Sequence, residues 1–313
     1  MRIFTSLEDI HEWAFQHGSA IAIGKFDGVH LGHRTLLDRI AEVSAELHLE
    51  PAVFTFANNP LSFLRPELCP TPIMSRAQRL DALREAGVET CVMVSFDAAL
   101  AAMTAEAFVT EILVDRLRVR HLCVGADFRF GHGGAGDVAL LQDMSTKLGF
   151  VVEVIGSVED PVLGKVSSSR VREAIAAGDV SAATRMLGRV LAVRGEVVRG
   201  DARGRDLGFP TANLGGEIEG ILPADGVYAG WGIVDGVRHA AAISVGANIT
   251  FETDGLPRVE AFLLDFSGDL YGKRIEVQFV ERLRGMIAFS GIDDLVAQMH
   301  GDVRLTREIL GAN

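Results

Sequence analysis

The chain has 313 residues, of which 48% are hydrophobic and 23% charged, and its formal net charge is −12. This length is sufficient for two hydrophobic cores, and the apolar fraction is too high for a disordered protein. The negative charge argues against binding to nucleic acid or to anionic lipid, since both are polyanions.

The sequence also bears on where the chain resides. It has no apolar run of the ~18 residues that a membrane span needs, and no N-terminal basic segment followed by an apolar one. Its three cysteines, Cys69, Cys91 and Cys123, are odd in number and form no CxxC pair, which predicts buried thiols in a reducing compartment. We therefore expect a cytoplasmic protein without membrane contact.

Strand-like and helix-like segments alternate over the first half of the chain. Apolar strands are predicted at residues 19–23, 51–56, 90–95, 121–124 and 151–155, and helices at 75–86, 104–117 and 140–148. Such alternation is typical of an α/β fold, in which a parallel sheet carries helices on both faces and ligands bind beyond the carboxyl ends of the strands.

The segment 19–33, SAIAIGKFDGVHLGH, is the most informative part of this half. Gly24 and Gly28 permit a tight turn after the first strand, and His30 and His33 stand at the start of an amphipathic helix. The apolar face of that helix is predicted to consist of Leu36, Leu37, Ile40, Val43 and Leu47. A helix N-terminus attracts anions, so the segment predicts a phosphate site. The two histidines could instead form part of a zinc site, or serve only in capping and packing.

A second group of basic residues lies in 166–179, VSSSRVREAIAAGD. Ser167 is the expected cap of a helix that ends at Gly178. Capping alone leaves Arg170 and Arg172 unexplained, because basic side chains in a first turn are disfavoured by the helix dipole unless an anion is present.

From Val190 the chain consists of short glycine-rich strands, which predict a small antiparallel barrel followed by a helix over residues 292–310. The predicted domains are therefore 1–185 and 186–313. Within the barrel, Thr211 and Asn213 lie two residues apart and would share one face of an extended segment, with oxygen atoms that suit Mg²⁺. Gly200 and Gly204 bound a loop that could fold over phosphates, although PTAN alone could also be a simple turn.

Five motifs in this order resemble those of the bacterial bifunctional riboflavin kinase/FMN adenylyltransferases, also called FAD synthetases. They are GKFDGVHLGH at 24–33, GADFRFG at 125–131, SSSRVR at 167–172, GFPTAN at 208–213, and VEAFLLDF at 259–266. The resemblance implies a Rossmann-like nucleotidyltransferase domain followed by a riboflavin kinase barrel. It also implies riboflavin, FMN, FAD and ATP as ligands, Mg²⁺ as cofactor, and a monomer or weak homo-oligomer.

The same resemblance implies roles for individual residues. In adenylyl transfer, His30, His33 and Arg170 would be catalytic, and the nucleotide or flavin would be bound by Gly24, Phe26, Asp27, Gly28, Asn59, Asp127, Ser168 and Arg172. In the kinase, Glu260 would be the general base, with Gly200, Gly204, Thr211 and Asn213 binding ATP and the last two binding Mg²⁺. Glu260 opens an otherwise apolar strand, where a carboxylate directed inward would be expensive to bury without a function. The alternative is that it faces solvent on an edge strand.

The chain departs from the family pattern at several positions. Ala57, Asn58 and Asn59 stand where the family has an acid, a proline and a histidine, and further differences occur at Gly134, Ile249, Phe262 and Met286. Two other functions stay open at this point: a degenerate paralogue that binds flavin and nucleotide without turnover, and a nucleotidyltransferase for another phosphorylated substrate.

Overall fold

A computed structural model describes residues 1–11, 14–200, 207–246 and 258–312 of the chain. The chain forms two compact units. The first contains Met1–Pro72 and Arg76–Val166, and the second contains Ile73–Ser75 and Ser167–Asn313.

The first unit is built on a six-stranded sheet in which every neighbouring pair is parallel. Its strands are β1 (Arg2–Phe4), β2 (Ser19–Ile23), β3 (Glu50–Phe56), β4 (Thr90–Val94), β5 (Val119–Gly125) and β6 (Val151–Ile155), in the order β1-β4-β3-β2-β5-β6. The predicted parallel sheet is confirmed, and the short edge strand β1 was not predicted. From β2 the chain adds β3 and β4 on one side, and then returns to add β5 and β6 on the other side of β2. Open α/β sheets bind their ligands at such a reversal of strand order, here between β2 and β5.

Six helices connect these strands: α1 (Leu31–Leu47), α2 (Pro60–Leu64), α3 (Arg76–Glu85), α4 (Ala98–Ala102), α5 (Ala105–Ala107) and α6 (Val138–Leu148). After α5 the chain continues as a π-helical segment, Phe108–Arg116, so the single helix predicted over 104–117 is divided. The two-stranded hairpin of β7 (Glu159–Asp160) and β8 (Gly164–Lys165) follows β6.

The predicted apolar face of α1 is correct except at its end. Leu36, Leu37, Ile40 and Val43 are buried, but Leu47 is 55% exposed. Leu47 is the last residue of α1, directly before His48, whose left-handed backbone ends the helix.

An ion network connects α1 to the sheet. Arg39 on α1 donates from Nε to both carboxylate oxygens of Glu153 on β6, at 2.8 and 3.0 Å, and Nε2 of His121 on β5 lies 2.9 Å from the same carboxylate. Although burial alone would raise it, hydrogen bonds from Arg39 and His121 hold the pKa of Glu153 below its usual value. Cys123 lies beside this network, and burial raises the pKa of its thiol to about 12.

Across the residues that the structure describes, three potential metal-ligand atoms come within 4.8 Å of one another only at His121, Cys123 and Glu153. Because Arg39 already neutralises Glu153 and the Cys123 thiol keeps its proton, we interpret this group as an ion network. His30 and His33 do not belong to it, which weighs against the zinc interpretation of the histidine pair.

The second unit begins with α7 (Ser168–Ala176) and α8 (Val180–Leu187) and continues as a closed antiparallel barrel. The barrel strands are β9 (Leu191–Val198), β10 (Ala212–Glu219), β11 (Gly226–Val234), β12 (Val237–Gly246), β13 (Arg258–Leu263) and β14 (Arg274–Arg284), in the order β10-β13-β12-β11-β14-β9. The final helix α9 (Ile292–Leu310) matches the prediction.

The α9 helix is joined to the barrel by a buried ion pair. Arg284 on β14 donates to both carboxylate oxygens of Asp302, at 3.0 Å from Nε and 2.7 Å from Nη2. Asp302 is 3% exposed and also accepts from Gln298. A charge this buried is tolerable only because its oxygens are hydrogen-bonded.

Two composition-based expectations can be compared with the structure. Cys91 and Cys123 are buried, whereas Cys69 is half-buried, so burial was wrongly expected for that thiol; all three are free. Among the described residues, every helix is too short or too polar to cross a membrane.

The bounds of the second unit predict where a stable C-terminal fragment should begin. A fragment of residues 167–313 keeps α7 and α8. The shorter fragment 186–313 lacks the buried side chains of Ile175 and Val180. It also lacks the Ile175 carbonyl that accepts a hydrogen bond from the Ala224 N–H. We expect the shorter fragment to melt at least about 4 °C lower, the shift that ~1 kcal/mol produces at this size. Thermal unfolding of both fragments measures this, and equal melting temperatures would instead support a boundary at residue 185.

Candidate functional site

The loop between β2 and α1 has an unusual backbone. Phe26 (φ 50°), Gly28 (φ 86°) and Val29 (φ 38°) all have left-handed backbone angles. Only the glycine adopts this region at little cost, and the other two residues are strained. Phe26 is fully buried and Val29 nearly so, so packing holds the loop in this conformation.

The loop places His30 at the N-terminus of α1. His30 is the N-cap residue: its Nδ1 accepts a hydrogen bond from the backbone N–H of His33 at 3.2 Å. Because Nδ1 is an acceptor, the neutral His30 ring carries its proton on Nε2. The capping interpretation of the sequence is therefore correct for His30, and Nε2 is the donor nitrogen of the neutral ring.

The two imidazoles are stacked on one another. Their ring centroids are 3.7 Å apart with an interplanar angle of 14°, and the Phe26 ring lies 5.0 Å from that of His33. Gly32 fits beneath the pair, since a Cβ at this position would lie only 3.2 Å from the His30 ring. The ring positions are thus determined by packing on both sides.

Two further loops leave the same edge of the sheet. After β3, the side chain of Asn58 bonds in both directions with the backbone of Phe96, at 3.0 and 2.8 Å. Asn59 caps α2 by accepting from Leu61 N–H at 3.1 Å. After β5, Asp127 is exposed, and its Oδ1 lies so close to Gly125 that a Cβ there would be 3.2 Å away. Parallel pairing of β3, β2 and β5 brings these loops to one edge of the sheet.

The structure also shows a buried residue that the sequence analysis missed. Arg79 on α3 is 8% exposed and donates to the backbone carbonyls of Lys25, Phe56 and Ala57, at 3.1, 2.7 and 3.0 Å. These carbonyls belong to the loops after β2 and β3. An arginine three and four residues before the buried Ala82 and Leu83 was the available signal, since it places a cation on the apolar face of a helix.

Ser168, Arg170 and Arg172 lie on α7, in the second unit. Ser167 caps that helix as predicted, accepting from the Arg170 N–H at 3.4 Å. The Arg170 side chain is exposed and Arg172 is half-buried. Both arginines are in the first two turns, where the helix dipole favours an anion close by.

A second cluster lies on the barrel. The Thr211 hydroxyl donates to Oε2 of Glu260 at 3.4 Å and accepts from Nδ2 of Asn213 at 3.3 Å. Asn213 and Glu260 are direct partners in the ladder between β10 and β13. Gly200 lies against Asn213, because a Cβ at residue 200 would be 2.8 Å from the Asn213 amide. Gly204 lies outside the described residues, as does Ile249.

Glu260 lies on the outer face of the barrel. Its neighbours Val259 and Ala261 are fully buried and Glu260 is half-buried, as alternation along a strand requires. Since β13 pairs with both β10 and β12, Glu260 is not on an edge strand, so that part of the alternative is wrong. Its outward direction is as the alternative had it, and the inward direction expected for the carboxylate is wrong. On the same face, the Phe262 ring contacts Phe209, with ring centroids 5.3 Å apart.

Comparisons with known proteins match both halves of the chain. Residues 13–170 match the FAD synthetase family and residues 187–310 match the riboflavin kinase family. The bifunctional riboflavin kinase/FMN adenylyltransferase of Pseudomonas fluorescens is 37% identical over 301 residues, covering 96% of each chain. The enzyme of that name from Escherichia coli (strain K12) is 35% identical over 317 residues, covering 99% of this chain and 98% of the other.

One solved structure is similar over nearly the whole length. The crystal structure of a protein titled macrolide-efflux protein from Streptococcus pneumoniae has a TM-score of 0.85 and 32% identity, covering 97% of this chain and 98% of that one. Both family matches and both relatives place the whole length of the chain in one group. The chain belongs to the family of bifunctional riboflavin kinase/FMN adenylyltransferases.

Proposed function

We infer that this chain is a bifunctional FAD synthetase, which phosphorylates riboflavin to FMN and then transfers the adenylyl group of ATP to FMN. The observation that carries this conclusion is the match of both units, in order and over nearly the full length, to enzymes with both activities. The test is to incubate the purified protein with riboflavin and MgATP and to separate the flavins by chromatography. FMN and FAD should both form; flavin that is bound but unchanged would support a degenerate paralogue.

We propose that adenylyl transfer occurs at the carboxyl edge of the parallel sheet. An oxygen of the FMN phosphate attacks the α-phosphorus of ATP, and the bond to pyrophosphate breaks. The nucleophile is already an anion, so this step requires positioning and charge stabilisation and no strong base. His30 can donate from Nε2 to a phosphate oxygen, with His33 beside it. Gly24, Phe26, Asp27, Gly28, Asn59 and Asp127 would bind the nucleotide or the flavin at this edge. For Ser168, Arg170 and Arg172 on α7, the proposed role in holding the ATP phosphates follows from the family resemblance alone.

We propose that the kinase reaction occurs beside Glu260. The carboxylate would accept the proton of the riboflavin 5′-hydroxyl as that oxygen attacks the γ-phosphorus of ATP and ADP leaves. Thr211 and Asn213 present a hydroxyl and an amide oxygen beside Glu260, a donor pair that fits Mg²⁺. The metal, when bound, would neutralise charge on the phosphates. Gly200 and Gly204 would allow the phosphates to approach the backbone.

Other properties of the protein stay predictions from sequence. We propose a cytoplasmic location, a monomeric or weakly self-associating state, and no binding to nucleic acid or membrane. The cysteine pattern supports the location, and the net charge supports the absence of nucleic-acid and membrane binding.

Glu260→Gln should separate the two activities. Glutamine can still accept the Thr211 hydroxyl hydrogen bond but cannot serve as a base, so riboflavin phosphorylation should fall ~100-fold or more. Adenylation of supplied FMN should be unchanged. Glu281→Gln is the matched control, because Glu281 is an exposed residue of β14; an equal loss of both activities in Glu260→Gln would contradict the assigned role.

His30 can be tested without loss of its cap. His30→Asn replaces the imidazole by another good N-cap residue, so FAD formation should fall ~100-fold or more while the melting temperature and the FMN-forming rate stay near their starting values. His30→Ala should lose both adenylation and the cap, at a cost of ~1 kcal/mol. Full adenylation by His30→Asn would show that the ring serves only as a cap.

The proximity of Asn59 to the ATP phosphates can be tested with two variants that differ in charge. Asn59→Ser and Asn59→Asp both preserve the cap of α2, but the aspartate adds a negative charge. If Asn59 faces the ATP phosphates, Asn59→Asp should raise KM for MgATP in adenylation several-fold, while Asn59→Ser changes it little. Identical KM values for the two variants would place the phosphates elsewhere.

A further inference from the structure

Arg79 is a buried cation that the proposed chemistry does not use directly. It is 8% exposed, and burial lowers the pKa of its guanidinium while the Asp27 carboxylate raises it. An arginine keeps its charge even so. Burying a charge is expensive unless it is hydrogen-bonded, so the partners of this side chain indicate what its burial achieves.

The partners of Arg79 are backbone carbonyls of two different loops. One Nη donates to Lys25, the first residue after Gly24 at the end of β2, at 3.1 Å. The other donates to Phe56 and Ala57, where β3 ends, at 2.7 and 3.0 Å. The planar fork of a guanidinium can hold two such segments at a set separation, which a lysine ammonium cannot do.

The Lys25 carbonyl is fixed from a second side. The Thr55 hydroxyl donates to the same oxygen at 3.1 Å, and Thr55 is fully buried. Both lone pairs of this carbonyl are therefore engaged, at the residue directly before the strained Phe26. Strained conformations of this kind cost ~1–3 kcal/mol each and persist only where the surrounding structure determines them.

We propose that Arg79 is a positioning residue for adenylyl transfer. By fixing the ends of β2 and β3, it sets the loop that leads to His30 and His33 and the loop that carries Asn58 and Asn59. Both loops have to meet the same triphosphate, so their separation determines whether the imidazoles reach the transferring phosphorus. This inference rests on the proposed site of adenylation.

The first experiment is Arg79→Lys in the full chain, with Arg84→Lys as the matched control. Arg84 is an exposed arginine of the same helix and pairs with Asp81. Arg79→Lys retains the charge and loses the fork. We expect kcat for FMN adenylation to fall 10- to 100-fold, as small misplacements of reacting groups do, with KM for ATP within ~3-fold. The kinase rate of the same preparation and all rates of Arg84→Lys should be unchanged.

A second variant keeps the proposal testable if Arg79→Lys folds poorly. Thr55→Val is nearly isosteric and removes the second hydrogen bond to the Lys25 carbonyl. It should lower kcat for adenylation by several-fold, again with KM retained. Spectra of ¹⁵N-histidine-labelled protein should show His30 losing its single tautomer in either variant, which a purely stabilising role of Arg79 would leave unchanged.

The results distinguish an error in the role proposed for Arg79 from an error in the proposed function. Wild-type adenylation by both variants would overturn the proposal, as would a parallel fall of kinase and adenylation rates that follows the loss of thermal stability. A wild-type protein that forms no FAD would overturn the proposed function itself, before Arg79 is considered.

Discussion

The first unit depends on a backbone constraint at the end of β2. Within six residues the chain has to leave a buried central strand and begin α1 with an imidazole as its cap, and it does so through Phe26, Gly28 and Val29 in left-handed conformations. Burial of Phe26 and Val29 and the hydrogen bonds on the Lys25 carbonyl offset the strain. The positions of His30 and His33 and the direction of α1 all follow from this turn.

Much of this arrangement could be predicted from sequence. The period of the apolar residues indicates the strands and α1, and parallel pairing then places the loops after β2, β3 and β5 at one edge. The cap at Ser167 and the helix over 292–310 are likewise local properties, which residue type and spacing determine. These predictions succeeded because each depends on neighbours in the sequence.

The features that were missed depend on distant partners. β1 has three residues and exists because it pairs with β4, and Arg79 is buried because carbonyls more than 20 residues away accept its hydrogen bonds. Gly200 was predicted to bind phosphate, and the structure adds that a Cβ at this position would displace the Asn213 amide. The outward direction of Glu260 follows from barrel closure. Sequence periodicity contains none of this information.

Gly32 affects the alignment of the stacked imidazoles. It is the smallest residue of the His-x-Gly-His string, and any side chain at this position would press on the His30 ring. The glycine therefore leaves the His30 ring room for its present position. An alanine at position 32 would require the His30 ring to move by a few tenths of an ångström. A single methyl group at this position therefore acts on the alignment of the stacked imidazoles while both histidines are kept.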